Sequence, residues 1–230
     1  MPYDAIALPD VSGLIVGVLG GTGPQGRGLA YRLARAGQQI RVGSRSVERG
    51  EQAAADLAAL PGVAAGLVTG GANTYACTSD LVIVAVPWEG HGATLRDLAG
   101  DLAGRIVVDC VNPLGFDKQG AFSLPVPEGS AAQQAAALLP QSRVCAAFNH
   151  VSAPLLADPS IERIELDVLV LGDDRDAALH VQALAGRITG VRGVYAGRLR
   201  NAAQVEALTA NLVAINRRYK VHAGIRVTDL

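Results

Sequence analysis

The densest chemistry in this 230-residue chain lies in Gly21-Thr22-Gly23-Pro24-Gln25-Gly26. The six residues fit the spacing G-x-G-x-x-G. They directly follow an apolar run, Leu14 to Leu19, and open a segment in which Leu29 and Leu33 stand one helical turn apart. In a chain with 27 glycines the bare motif is weak, but its place between a strand and a helix makes it a dinucleotide loop. Gly21 is expected to permit the tight turn, Gly23 to let the backbone approach a pyrophosphate, and Gly26 to allow close helix–strand packing. Pro24 suits a first helical position, and the helix start presents free N–H groups and partial positive charge to phosphates.

The end of the second strand chooses between dinucleotides. An NAD-binding loop carries an acid about 20 residues on, which bonds the ribose 2′-hydroxyl. Here Gly43-Ser44-Arg45 stands in that place, with no carboxylate. Ser44 offers a hydroxyl donor and Arg45 a planar cationic fork, and Arg49 follows about one helical turn later. Ser44, Arg45 and Arg49 therefore read as a 2′-phosphate site, and the expected cofactor is NADP(H).

These residues need a scaffold, and the rest of the chain supplies a pattern for one. Strands are expected at Leu14–Leu19, Gln39–Val42, Leu81–Val86, Arg105–Val108, Val144–Phe148, Leu166–Leu171 and Val191–Tyr195, with a short one at Gly66–Val68. Helices are expected at Gln25–Ala36, Val47–Leu60, Trp88–Ala99, Ala131–Leu139 (Ser130 as its N-cap), Asp174–Ala185 and Leu199–Tyr219. Asn112 to Gly129, rich in Pro and Gly, reads as a long loop. Continuous apolar strands alternating with helices imply a parallel sheet covered on both faces. The fold class is α/β, a Rossmann-type doubly wound, mostly parallel sheet with a small C-terminal helical segment. Residues 1–13 read as an N-terminal extension, 14–196 as the NADP-binding domain, and 197–230 as a helical segment serving the cofactor cleft and a dimer contact.

Composition excludes several classes. The net charge is −1 and aromatics are 4%, which argues against a nucleic-acid surface. No apolar run approaches the roughly 18 residues of a membrane span, and the first residues lack a secretory pattern. Cys77, Cys110 and Cys145 are widely separated, as expected of buried thiols in a reducing compartment rather than a disulfide framework or a zinc site. The four histidines are scattered, so no metal is expected. A cytoplasmic protein without membrane or nucleic-acid partners is the default reading.

Gly20-Gly21-Thr22-Gly23, then Gly43-Ser44-Arg45, then Val86-Pro87-Trp88-Glu89 occur in order at suitable spacing. This combination resembles the NADPH:F420 oxidoreductases, which pass hydride between NADP(H) and the deazaflavin coenzyme F420. The resemblance runs from about Leu14 to the C-terminus, through Ser130-Ala131-Ala132, the Gly172-Asp173-Asp174 turn and Val205-Glu206-Ala207-Leu208-Thr209. It implies that Thr22, Gly23, Pro24 and Gln25 hold the pyrophosphate and that Val86, Trp88 and Ala153 fall along the NADP site. It places the deazaflavin near Asn112-Pro113, Asn149 to Val151, and Ala223. The chain departs from the family in residues 1–13, in Asn149 where the family often carries a His, and in a basic tail of Arg217, Arg218, Lys220, His222 and Arg226.

Hydride transfer between two cofactors asks the protein for alignment and exclusion of water rather than for a triad. The candidates for a direct polar contact are Asn112, at the carboxyl edge of the sheet, and His150; each also has a purely structural reading, a turn before Pro113 for the first. Reversible NADP(H):F420 hydride transfer by a homodimer paired through the C-terminal helix is the expected function. An NADPH-dependent reductase of another acceptor (flavin, metal chelate, small carbonyl or imine) and a non-catalytic NADP(H) sensor are the competing readings.

Overall fold

The computed structural model describes residues 7–230. Its first part alternates β1 (Ile15–Leu19), α1 (Pro24–Arg35), β2 (Gln39–Ser44), α2 (Val47–Ala58) and β3 (Val68–Ala72). A short α3 (Asn73–Cys77) leads to β4 (Leu81–Val84), α4 (Trp88–Asp97) and β5 (Ile106–Asp109). Then come a hairpin, β6 (Leu114–Asp117) and β7 (Gly120–Ser123), α5 (Ala131–Leu138), β8 (Arg143–Ala146) and α6 (Ala153–Ala157). The chain finishes with β9 (Leu166–Gly172), α7 (Arg175–Gly186), β10 (Val191–Gly197), one 3₁₀ turn and α8 (Ala202–Tyr219).

Eight strands form one sheet in the order β10-β9-β8-β5-β4-β1-β2-β3. From β3 to β8 all neighbours are parallel. β9 meets β8 antiparallel, with Cys145 opposite Gly172, and β10 runs parallel to β9. The carboxyl ends of β1, β4, β5 and β8 therefore share one edge with the amino ends of β9 and β10. Strand order reverses between β1 and β4, which opens a crevice at that edge, where α/β sheets take their ligands.

Side chains alternate between two cores because strand periodicity is two. Val16, Val18, Leu81 and Ile83 pack under α1, α2 and α7. Leu19, Val82 and Val84 pack under α3, α4, α5 and α8. Such two-faced burial is why these strands read as unbroken apolar runs. The start of α8 belongs to the second core, with Ala202 and Val205 buried in it, and Leu212 is buried further along the helix. Residues 1–6 of the expected extension lie outside the described residues. Its later part joins the core: Val11 is buried, and the Gln38 amide donates to the Val11 and Leu14 carbonyls.

Arg32 of α1 is buried and has no carboxylate partner among the described residues. Its guanidinium donates instead to the carbonyls of Leu155, Leu156, Asp158 and Ile161, at 2.5–2.9 Å. A buried cation is tolerable only when its donors are satisfied. Here they are satisfied by backbone carbonyls left free at the end of α6, so α1 and α6 are fixed to each other.

The structure amends two expectations and meets a third. Residues 112–129 are not a plain loop but hold the β6–β7 hairpin, with Leu114 opposite Ser123 and Asp117 opposite Gly120. Asp117 accepts from the N–H groups of Gln119 and Gly120 and so closes the turn. The third strand runs over Val68–Ala72 rather than Gly66–Val68, because glycines at 70 and 71 hide its pattern, Gly70 admitting the backbone of α2 and Gly71 the Tyr75 ring. Ser130 does cap α5, accepting from Gln133 N at 3.0 Å.

Candidate active site

The glycine loop is held by close backbone packing. Gly20, at φ +76°, makes the left-handed turn that had been expected at Gly21. Gly21 is required for another reason: a Cβ there would stand 2.7 Å from Val42 Cγ1. A Cβ on Gly26 would stand 2.5 Å from the Gly20 carbonyl oxygen, so this residue keeps α1 against the loop. A Cβ on Gly23 would stand 3.4 Å from the Gly20 carbonyl oxygen and meet nothing else within 4 Å, so this position is less crowded than Gly21 and Gly26. No side chain caps α1, and Pro24 occupies its first turn. Ser44 ends β2 and is buried, whereas Arg45 and Arg49 are exposed and enter no ion pair among the described residues. Ser46 caps α2 by accepting from Arg49 N.

Beyond Gln25 lies a cleft of about 840 Å³ at the carboxyl edge of the sheet. Val86 and Trp88 line one side, and Asn112, Asn149, His150, Val151 and Ala153 the floor and opposite side. Thr209, Leu212 and Asn216 of α8, with Ala223 beyond it, form a further wall, and Leu114 and Phe116 of the hairpin stand at the rim. Of the predicted site residues, Pro113 is outside the lining and begins the hairpin, its carbonyl accepting from Leu124 N. Gly21 to Pro24 and the Ser44, Arg45, Arg49 group also lie outside this cleft.

The polar groups of the cleft hold one another by their donors and leave acceptors free. Asn112 Nδ2 donates to the Asn149 carbonyl at 2.7 Å, and Asn149 Nδ2 to the Val111 carbonyl at 3.1 Å. Thr209 Oγ1 donates to the same Asn149 carbonyl at 3.1 Å, which ties α8 to the floor. Gln25 Nε2 donates to the Phe148 carbonyl at 3.1 Å, so the glycine-loop helix is joined to the floor too. Phe148 itself is buried at φ +63°, a strained conformation that costs of order 1–3 kcal/mol. That turn delivers Asn149 and His150 to the cleft.

His150 Nε2 accepts from Leu169 N at 3.1 Å. The acceptor nitrogen is bare, so the neutral ring carries its proton on Nδ1. Burial lowers its pKa to about 4. Three buried polar atoms in this cleft have no partner among the described residues: Asn112 Oδ1, Asn149 Oδ1 and His150 Nδ1. Two acceptors and one donor are thus left for a ligand, in a place where leaving them unmet costs about 1–3 kcal/mol each.

Sequence reasoning missed a buried polar relay behind this cleft. His91 Nε2 meets Asp109 Oδ2 at 2.6 Å and His91 Nδ1 meets Gln134 Oε1 at 2.9 Å. Asp109 Oδ1 accepts from Val111 N. Glu206 accepts from Ala131 N and Ala132 N at the start of α5, at 2.9 and 3.1 Å. His91, Asp109 and Glu206 are all under 4% exposed. The available signal was clearest at Asp109, a lone acid in the apolar run Ile106 to Val111, whereas His91 and Glu206 sit among other polar residues. The three thiols carry no such role: each is buried, and burial raises Cys77 and Cys145 to about 12 and Cys110 further still.

Residues 15–113 match the family model described as NADP oxidoreductase, coenzyme F420-dependent. The F420-dependent NADP reductase of Methanothermobacter thermautotrophicus is 38% identical over 221 residues, covering 94% of this chain and 95% of that one. The chain belongs to the F420-dependent NADP reductase family. A relative of the same name from Methanocaldococcus jannaschii is 36% identical, over 94% of this chain and 98% of its own. A solved structure from Arthrobacter sp. FB24 shares the fold, with TM-score 0.77 at 24% identity, over 94% of this chain and 100% of that one. The family model ends at Pro113, whereas the match to whole family members continues through the hairpin and α8.

Proposed function

We propose that this protein transfers hydride reversibly between NADP(H) and the deazaflavin coenzyme F420. The observation that carries the reading is the set of three unpartnered atoms, Asn112 Oδ1, Asn149 Oδ1 and His150 Nδ1, in a cleft joined to the glycine loop through Gln25. The two cofactors bring the redox chemistry themselves: one gives up a hydride from its nicotinamide and the other accepts it on its deazaflavin ring.

The residues fit both groups. Thr22 to Gln25, at the uncapped start of α1, are suited to the pyrophosphate. Ser44, Arg45 and Arg49 are suited to the 2′-phosphate, since Arg45 and Arg49 enter no ion pair among the described residues. Val86, Trp88 and Ala153 flank the nicotinamide side, and Asn112, Asn149 to Val151 and Ala223 the deazaflavin side. Asn112 and Asn149 orient ring N–H or carboxamide donors, and His150 donates to a ring carbonyl or nitrogen. The walls exclude water and hold the rings at contact distance.

Pairing of two copies through α8 is part of the reading. It is supported by apolar side chains left exposed along the outer end of α8 and on the hairpin: Phe116 and Tyr219 are each 70% exposed, and Ile215 39%. Buried, unpaired thiols suit a reducing cytoplasm. The test is to mix the protein with NADPH and oxidised F420 and follow the visible deazaflavin band. Bleaching with NADPH, and far less with NADH, is expected; no bleaching across a wide pH range overturns the proposal. Sedimentation should give twice the chain mass.

A further inference from the structure

Each of three cleft walls has a buried polar residue three positions away from a residue that lines it. His91 follows Trp88 on α4, Asp109 precedes Asn112 at the end of β5, and Glu206 precedes Thr209 on α8. The three are joined into one relay. Glu206 holds the first N–H groups of α5; Gln134 of α5 accepts from His91; His91 meets Asp109, and Asp109 holds Val111 N. The direction of the Gln134 amide is set by its other end, where Nε2 donates to Glu128 Oε2 at 3.2 Å. Its oxygen therefore faces His91 Nδ1, which must carry a proton.

Such a relay is poorly explained as a stabilising device. Desolvating two charges offsets most of their attraction, and well-packed apolar residues serve a core as well or better. Directional bonds add something else, a fixed distance between the elements that carry them. The rings of Trp88 and His91 lie 5.5 Å apart, so the indole stands directly beside the relay.

We propose that His91 and Asp109 are positioning residues for hydride transfer: their buried pair, continued through Gln134 and Glu206, sets Trp88, Asn112 and the α8 wall at the separation that brings the two cofactor rings together. The inference rests on the cleft being the site of that reaction. Neither residue lines the cleft, so they act through the walls and not on the reacting atoms.

The chain contains its own reporter, because Trp88 is its only tryptophan. Three measurements bear on the double variant His91→Leu/Asp109→Leu: thermal melting, the emission of Trp88 with its energy transfer to bound NADPH, and single-turnover bleaching of F420. It is expected to melt near the wild type, to shift Trp88 emission and transfer efficiency, and to slow hydride transfer about tenfold or more. Asp109→Asn can donate to His91 Nε2 and still accept from Val111 N, so it should stay within about threefold of the wild type. A folded double variant with wild-type Trp88 signals and rate overturns the proposal, and so does an Asp109→Asn protein as slow as the double variant. If the double variant does not fold, Gln134→Leu cuts the relay at its half-buried end and should slow transfer while Asp109→Asn spares it; equal rates in these two overturn it. A wild type that fails to reduce F420 at all refutes the proposed function instead, and the Trp88 signals still decide whether the relay positions the wall.

Discussion

At Gly26 the missing Cβ would meet a carbonyl oxygen 2.5 Å away, whereas at Asn149 an amide is held by a bond to Val111, thirty-eight positions earlier in the chain. The two contacts typify the two ends of the site. The proposed nucleotide end is largely a matter of backbone sterics in the first β-α-β unit, with Arg45 and Arg49 just beyond its second strand. The proposed acceptor end is assembled from residues after β5, the Phe148 turn, the hairpin, α8 and the segment after it, and side-chain bonds between distant residues hold it together. The first kind of site depends on which residues are absent, and the second on which partners arrive. Substitutions should therefore fail differently at the two ends.

The largest effect is expected from Gly26→Val, which drives a side chain into the Gly20 carbonyl. NADPH binding, followed by energy transfer from Trp88, should weaken by roughly a hundredfold or more, since misplacement of about 1 Å is that costly. Retained affinity would remove the steric account of the loop. Next comes Arg45→Asp. Loss of charge-assisted bonds and new repulsion should weaken NADPH about tenfold to a hundredfold and collapse the preference for NADP(H) over NAD(H). An unchanged preference in paired titrations would place the 2′-phosphate elsewhere. Asn149→Ala should act on the other end alone, raising KM for F420 about tenfold while the NADPH dissociation constant barely moves. If both constants rise together, the ends are not separable in the way their construction suggests.

The smallest effects concern pH and have opposite signs. Burial lowers His150 from 6.5 to about 4, so the unfolded chain binds the extra proton between those values. Its contribution to stability is present above pH 6.5 and is lost on acidification toward pH 4, by at most about 3 kcal/mol. Burial raises Glu206 from 4.5 to about 7, against the pull of its two backbone N–H bonds. There the folded chain holds the proton, so the contribution is present below pH 4.5 and is lost as pH rises through about 7. Relative to wild type, His150→Asn should gain melting temperature as pH falls, and Glu206→Gln as pH rises. Parallel melting curves for either variant and the wild type across its window would sink that assignment.

This contrast also explains what could be read in advance. Strand and helix placement in the first part was legible because apolar runs and glycine spacing are local properties. So was the dinucleotide loop, although the turn itself is at Gly20, one position before the residue expected to make it. Resemblance to a family pointed to Asn112, Pro113, Asn149, Val151, Ala153 and Ala223, and all but Pro113 line the cleft. Their pairing was not legible, since nothing local says that Asn112 will bond the Asn149 carbonyl. The relay was hidden for the same reason. Asp109 ends an apolar strand and Glu206 sits beside Val205 in an apolar stripe, so each reads as a local exception until α4 and α5 are packed between them. The hairpin was lost to its composition, because Gly and Pro mark a turn but not the short strands on either side of it.

The buried thiols have a practical consequence. Cys77, Cys110 and Cys145 are buried and held as thiols well above neutral pH. An alkylating dye should pass over all three in the folded protein. A single cysteine introduced on the exposed hairpin, at Gln119 for example, would then take the label alone, without first stripping the native residues. Distances from that label to Trp88 would report the hairpin's motion against the cleft as each cofactor binds.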